Sequence, residues 1–400
     1  MDIKALKLLA TPAGEKLLEK YQGFKDEALE NLMFKIEPSQ REIMRAVVSL
    51  TKLRRKMTGK FSLAAKMFFT PDGAEQSTGE EIARYIANRF QAGSKIADLT
   101  CSLGGNLIFL AQKNAIIAVD RNPANLFCAQ QNASLYGVSK HIEFIEGDAF
   151  DYATLPVAAF FLDPERARAG KTKTRSLRNS SPNIYELLPR QLANTKNIGI
   201  KISPAFDYEE IAALPENPEI EVISEDNVCK VAMLWFGGLK NASRRATMII
   251  KGKIQTLSNQ EDVSNVPVVS LPQSYLYEPN KAIIKAHLID EVATKFSLAK
   301  LDPQIAYLTS DTLLEDRLLF RTLKVLSSGD YSLQAAKEAL RVVSPIDAPL
   351  RANIITRGFP VKIEDLYKKL KIKEGGDLFV VFTTLKNRRY YLITRLVIDK

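Results

Sequence analysis

Between residues 94 and 236, short apolar runs alternate with helical patterns, and this rhythm limits the fold more than any other feature of the chain. KIADLT, AIIAVD, HIEFIEG, AAFFLD, NIGIKIS, EIEVIS and VAMLWFG read as seven strands. GNLIFLAQK and the stretch from Asn122 to Gly137 read as helices between the first three. Alternation of this kind predicts an α/β fold with a mostly parallel, doubly wound sheet. The last two strands follow with little helix between them, so an antiparallel hairpin at the sheet edge is expected. An open α/β sheet binds its ligand outside the carboxyl ends of its strands.

Four features stand at those ends. Asp98 closes the first strand in IADLTCSLGGN, and Gly104-Gly105 open the next helix. Glycines let backbone approach a ligand, and a helix start offers free N–H groups to a carboxylate. The run is neither GxGxxG nor GxxxxGK[ST], which disfavours a nicotinamide cofactor and excludes a phosphate loop. Taken alone, it reads equally well as a tight packing turn. Asp120 closes the second strand, placed to accept hydrogen bonds from two ribose hydroxyls. Asp120 can equally be a cap for the helix that Pro123 opens; with Asn122 as the cap, Asp120 is free for a ligand. Gly147-Asp148-Ala149-Phe150 follows the third strand. Asp148 suits an adenine amino group there, although the run can equally be a plain turn. Asp163-Pro164 closes the fourth strand, and a residue before proline is held extended. The Asp163 side chain and nearby carbonyls can hold an amine or a ring atom. In-line displacement at a sulfonium methyl draws its rate from proximity and needs no His or Cys nucleophile.

The flanks differ from this core. The first ninety residues read as helices. Ile43, Met44, Val47, Val48 and Leu50 recur at helical spacing between Pro38 and Lys60, and TKLRRKMTGK ends that helix as a solvated basic face. Pro71-Asp72-Gly73 reads as a turn. Ser77 or Thr78 can cap GEEIARYIANRF, with Glu81 at capping-box spacing from Thr78. Beyond Gly238, RATMIIKGKIQTLS reads as strand, SNQEDVSN as a loop and NKAIIKAHLIDEVATKF as one amphipathic helix. The last eighty residues alternate strands and helices and end in a hairpin turning at Lys386-Asn387-Arg388. The expected segments are 1–90 (helical), 91–240 (the core), 241–315 (connecting strands and helix, a small ferredoxin-like segment) and 316–400 (an α+β module).

Composition narrows the function classes. Lys and Arg outnumber Asp and Glu by 56 to 46, a net charge of +10 over 400 residues. That permits a polyanion such as RNA, and equally a basic protein with no such partner. Three cysteines without a CxxC pair argue against a disulfide framework and point to a reducing compartment. With only His141 and His287 besides, no zinc or other metal site is expected. No apolar run reaches 18 residues and no signal peptide opens the chain, so no membrane contact and a cytoplasmic location are expected.

Taken together, the four strand-end features resemble the class I S-adenosylmethionine-dependent methyltransferases. DLTCSLGGNLIFLA, AVDRNPANLFCAQQNASLYGV and FFLDP resemble the core of trimethylguanosine-synthase-like and guanine-N2 RNA methyltransferases. Nearly the whole chain resembles a bacterial class I methyltransferase family with a C-terminal THUMP-like domain. That likeness rests on KFSLAAKMFFTPDGAEQST, VAMLWFGGL, SYLYEPNKAIIKAHL, LDPQIAYLTSD and ITRGFPVKIEDLYKKLKI. It implies a Rossmann-like core with a doubly wound seven-stranded sheet, an N-terminal helical region and a small C-terminal THUMP-like module. S-adenosylmethionine is the implied cofactor. By the same resemblance Asp98, Cys101 and Gly104 surround the methionine moiety, Asp120 the ribose, and Asp148 with Ala149 the adenine. Asp163 and Pro164 form the catalytic pair, and Gln76, Ser77 and Thr78 close over the cofactor. Ser102 stands where many relatives have glycine, and Glu165-Arg166 stands where amino methyltransferases carry a Pro-aromatic pair. Cys101 itself reads as a small buried thiol.

After Pro164 come Arg166, Arg168, Lys171, Lys173, Arg175 and Arg178. This basic loop follows the expected reacting end and suits phosphates, although a solvated loop is the plainer reading. Arg351, Arg357, Lys362, Lys368, Lys369, Lys371 and Lys373 can add phosphate contacts or form ordinary polar faces. Trp235 reads as packing. The expected function is methylation of RNA, at a tRNA or rRNA base. The alternatives are methylation of a small molecule or protein, or an inactive core in an RNA-binding protein.

Overall fold

The seven central runs form seven strands: β1 (Lys95–Asp98), β2 (Ala115–Asp120), β3 (Ile142–Glu146), β4 (Ala159–Leu162), β5 (Ile198–Ile202), β6 (Glu219–Glu225) and β7 (Val228–Trp235). They are seen in a computed structural model that describes residues 1–32, 36–37, 40–166, 168–169, 172–173, 176–259, 263, 265–345 and 349–397. Two compact units result. One holds Met1–Glu221 and Lys230–Ser243, the other Val222–Cys229 and Arg244–Lys400. The segments 1–90 and 91–240 thus fall almost wholly in the first unit, and 241–315 and 316–400 in the second.

In the first unit the strand order is β3-β2-β1-β4-β5-β7. Its first five strands are parallel, and β7 runs antiparallel to β5. Every residue of β4 and β5 is buried, as in a sheet covered on both faces. Asp98 pairs with Phe161 across β1 and β4, and Leu162 pairs with Ile200 across β4 and β5. Asp163 and Lys201, one residue further on, therefore leave the sheet side by side. Between β1 and β4 the strand order reverses, and a crevice opens at the carboxyl ends.

Four helices begin the chain: α1 (Ile3–Leu9), α2 (Pro12–Tyr21), α3 (Asp26–Leu32) and α4 (Arg41–Met57). The basic end of α4 is not merely a solvated face. Arg54 Nε donates to Met67 O at 2.8 Å, and Arg55 Nη1 pairs with Asp26 at 2.7 Å. The expected turn at Pro71 is the start of α5 (Pro71–Gln76), with Thr70 Oγ1 accepting from Gly73 N. Proline suits a first helical position because its missing N–H would be unpaired there anyway. α6 (Glu80–Ala87) begins after Gly79 without a side-chain cap, so neither Ser77 nor Thr78 plays that part. The helix expected over GNLIFLAQK is a single turn, α7 (Leu107–Leu110). α8 (Pro123–Leu135) is capped by Asn122, whose Oδ1 accepts from Ala124 N and Asn125 N. α9 (Ile184–Leu192) and α10 (Tyr208–Ala212) complete the unit's longer helices. Trp235 is fully buried, and its Nε1 donates to Glu221 Oε2 at 2.7 Å. Tyr85 Oη donates to the other oxygen of Glu221 at 2.5 Å.

The second unit opens with the hairpin β8 (Arg244–Ile250) and β9 (Lys253–Ser258). β6 crosses the boundary between the units, with Glu219–Glu221 in the first and Val222–Glu225 in the second. Then come β10 (Tyr275–Pro279), α11 (Lys281–Lys285), α12 (Ile289–Phe296), β11 (Ala299–Lys300) and β12 (Leu308–Ser310). The single helix expected over 280–296 is broken, and His287 takes a left-handed φ of 56° between its halves. β13 (Phe320–Asp330), α13 (Leu333–Val343), β14 (Asn353–Arg357), α14 (Ile363–Leu370), β15 (Leu378–Leu385) and β16 (Arg388–Leu396) finish the chain. The sheet order is β11-β12-β10-β13-β16-β15-β14. Leu340 of α13 and Leu366 and Leu370 of α14 share one core with Val380 and Phe382 of β15. Lys386 and Asn387 alone make the final turn, both with positive φ, while Arg388 already pairs with Leu385.

Candidate active site

A cleft of ≈ 270 Å³ opens at the carboxyl ends of β1, β2, β3 and β4. Asp98, Asp120, Asp148 and Asp163 all line it, one from each strand end, together with Cys101, Ala149, Gln76, Ser77 and Thr78. Nine of the eleven residues that the sequence assigned to cofactor or catalysis thus come together. The other two, Gly104 and Pro164, are not in its wall. Gly104 has a φ of 92° and lies against Ala129, so it shapes the turn behind the cleft. Gly105 lines the cleft in its place. Of the basic loop, Lys171, Arg175 and the side chains of Arg166, Arg168 and Lys173 lie outside the described residues. Arg178 is exposed, its guanidinium 4.7 Å from the Tyr185 ring centre, and it does not line the cleft.

The carboxylates differ in their settings. Asp98 is 1% exposed, and its Oδ1 accepts from Thr100 N at 3.2 Å. Burial pushes its carboxyl up to about 8, and the charges of Asp163 and Asp120 add to the effect. Asp120 does not cap α8, and both of its oxygens accept from backbone. Its Oδ1 accepts from Asn122 N at 2.8 Å and its Oδ2 from Ser102 N at 2.7 Å. Each oxygen keeps a further lone pair for a ligand hydroxyl. Burial raises this carboxyl too. Ser102 has a φ of 48°, in the region that favours glycine. Asp148 Oδ1 accepts from Phe150 N at 2.9 Å. Burial holds the Cys101 thiol well above its ordinary range, so it is no nucleophile.

Three further residues surround Asp163, and the sequence did not single them out for it. Asp163 N donates to Thr100 Oγ1 at 2.6 Å, while Asp163 Oδ2 forms an ion pair with Lys201 Nζ. Asn106 Nδ2 reaches the same Oδ2 at 3.5 Å and Thr78 Oγ1 at 3.4 Å. Lys201 Nζ also lies 3.5 Å from Gln76 O, and Lys60 Nζ donates to Ser77 O at 3.1 Å. The segment from Gln76 to Thr78 is thereby tied at three successive residues. One signal was available for Lys201: it is the only charge in the apolar run NIGIKIS.

Asp98, Asp120, Asp148, Asp163 and Glu165 line the cleft, with Arg121 as the only Lys or Arg among the described residues that line it. Such a wall fits a ligand that carries positive charge and several hydrogen-bond donors. Buried Asn106 Oδ1 has no partner among the described residues, and Asn106 lines the same cleft. S-adenosylmethionine, with its sulfonium, ammonium, ribose hydroxyls and adenine amine, matches these acceptors in kind.

Residues 93–188 match the RNA cap guanine-N2 methyltransferase family, 275–316 a ferredoxin-like domain and 320–395 a THUMP domain-like family. Fold, cleft and matches together define a class I S-adenosylmethionine-dependent methyltransferase with a C-terminal THUMP-like domain. The chain is similar to an uncharacterised S-adenosylmethionine-dependent methyltransferase of Mycobacterium tuberculosis, with 29% identity over 349 residues, 85% of this chain and 92% of that protein. Trimethylguanosine synthase of Saccharomyces cerevisiae is 31% identical over 119 residues, 28% of this chain and 38% of that one. A solved structure from Porphyromonas gingivalis W83, described as a candidate methyltransferase, shares the fold. Its TM-score is 0.78 at 21% identity, over 96% of this chain and 97% of that one.

Proposed function

We propose that the protein transfers a methyl group from S-adenosylmethionine to a base in RNA. The observation that carries this reading is the convergence of Asp98, Asp120, Asp148 and Asp163 on one cleft. Asp120 would accept the ribose hydroxyls and Asp148 the adenine amine. Asp98, Cys101 and Ser102 would surround the methionine end, with Gln76, Ser77 and Thr78 across from them. When bound, S-adenosylmethionine supplies an electrophilic methyl group on a sulfonium. Asp163 would orient the acceptor by taking a hydrogen bond from its N–H or O–H. The residues around the cleft exclude water, and proximity supplies most of the rate.

RNA is supported by the matched RNA cap guanine-N2 methyltransferase family and the THUMP-like domain. Charge points the same way: over 316–400, Lys and Arg outnumber Asp and Glu by 17 to 9. That excess suits phosphate contacts. Arg166, Arg168, Lys171, Lys173, Arg175 and Arg178 would add contacts beyond the reacting end. No helix among the described residues is long and apolar enough to cross a membrane. Three free cysteines suit a reducing compartment, and the cytoplasm is where we expect the enzyme to act.

Calorimetry with S-adenosylmethionine, followed by transfer of a radiolabelled methyl group to total RNA, tests the reading. Binding and label in RNA are expected. Absence of binding by folded protein would overturn the cofactor assignment, and binding with label only in protein or small molecules would overturn RNA.

A further inference from the structure

Asp163 is held asymmetrically. Lys201 and Asn106 both approach Oδ2, while no described residue donates to Oδ1. Asp163 lines the cleft and its side chain is 27% exposed, so the unbound oxygen has access to a ligand. The amide of Asn106 has a defined sense here. Turned over, its Oδ1 would face the Asp163 carboxylate and repel it, so Nδ2 belongs on that side. Lys201 is 9% exposed on a strand whose other residues are apolar. Removing a charge from water is expensive, and a buried ion pair often stabilises no more than a well-packed apolar pair. Stability alone is therefore a poor account of a lysine at this place.

We propose that Lys201 is a positioning residue, aided by Asn106. It holds Oδ2 of Asp163 and so presents Oδ1 to the methyl acceptor, while its contact with Gln76 O fixes the segment across the cleft. This rests on the methyl-transfer reading above and adds to it the group that sets the direction of the Asp163 oxygen. Lys201 itself is not among the residues that line the cleft. Asp163 N is fixed separately by Thr100 Oγ1, so the backbone stays in place when the lysine is lost.

Lys201→Met keeps the length and the apolar stem and removes the charge. In this variant kcat for transfer to total RNA is expected to fall about 100-fold, the scale of a misplaced reacting group. Affinity for S-adenosylhomocysteine should stay within about threefold. Lys201→Arg should recover much of the lost rate. Unchanged kcat in Lys201→Met would overturn the proposal. So would losses of rate and of S-adenosylhomocysteine affinity in equal proportion, the mark of a merely structural part. Should the wild type transfer no methyl group to RNA, the substrate reading fails separately. The positioning claim is then read from a crystal structure of Lys201→Met. A turned or divided Asp163 side chain supports it, and an unmoved one overturns it.

Discussion

Ser102 N donates to Asp120 Oδ2 at 2.7 Å, so the turn after β1 is fastened to the end of β2 by a carboxylate that lines the cleft. Asp120→Ala removes both a ligand acceptor and the anchor of a left-handed residue. We expect S-adenosylmethionine affinity to fall at least about tenfold, from two lost hydrogen bonds of about 1 kcal/mol or more each. Calorimetry on the variant checks this, and wild-type affinity would remove Asp120 from the binding site.

Asp163→Asn keeps shape and one carbonyl oxygen but loses the charge opposite Lys201. Transfer is expected to drop by about 100-fold or more while S-adenosylhomocysteine still binds. Normal turnover would take Asp163 out of the mechanism.

The raised carboxyl of Asp98 gives two pH effects. Its folded value, about 8, lies above the 3.8 of an exposed Asp. The protein then holds a proton that the unfolded chain releases, so this stabilising term is full below pH 4 and fades as pH rises to 8. Asp98→Asn should therefore stabilise the protein near neutral pH, with the gain growing from pH 4 to 8. Melting curves across that range test it. In the wild type, affinity for a cationic cofactor should rise as pH passes 8 and Asp98 gains its charge. A flat affinity across that range would mean that Asp98 does not face the cation.

Glu221 is fully buried and satisfies two donors, Tyr85 Oη and Trp235 Nε1. Glu221→Ala leaves both unpaired and a cavity beside them. A loss of about 3 kcal/mol is expected in urea unfolding, since each orphaned buried donor costs about 1–3 kcal/mol.

Replacing Arg166, Arg168, Lys171, Lys173, Arg175 and Arg178 by Gln should weaken RNA binding and flatten its dependence on salt. Filter binding at several salt concentrations reads both. An unchanged slope would move the phosphate contacts to the C-terminal unit.

The strand-end carboxylates were legible because buried parallel strands read as unbroken apolar runs, and an Asp that ends such a run stands out. Asp98, Asp120 and Asp163 were found in this way. What the sequence could not give were partners fixed by register. Lys201 meets Asp163 only because Leu162 pairs with Ile200, across 38 residues. Thr78 looked like a helix cap by spacing, but in the fold its hydroxyl meets Asn106 instead. The run 280–296 kept a helical pattern through His287, and apolar spacing does not register a single left-handed residue. Asp120 looked unengaged because backbone donors leave no mark in a sequence.

The chain passes between its two units three times, at Glu221, at Cys229 and at Ser243. Residues 222–229 are held by later sequence: Ser224 Oγ meets Asn280 Oδ1 at 2.8 Å, and Asp226 N donates to Ile249 O at 3.0 Å. A stop codon after Ser243 would strand that excursion without its partners and bare Val222 and Ile223. The C-terminal half is thus no detachable accessory that a gene can shed by early termination. A shortened gene product would carry the methyltransferase sequence with residues 222–229 cut off from the partners that hold them.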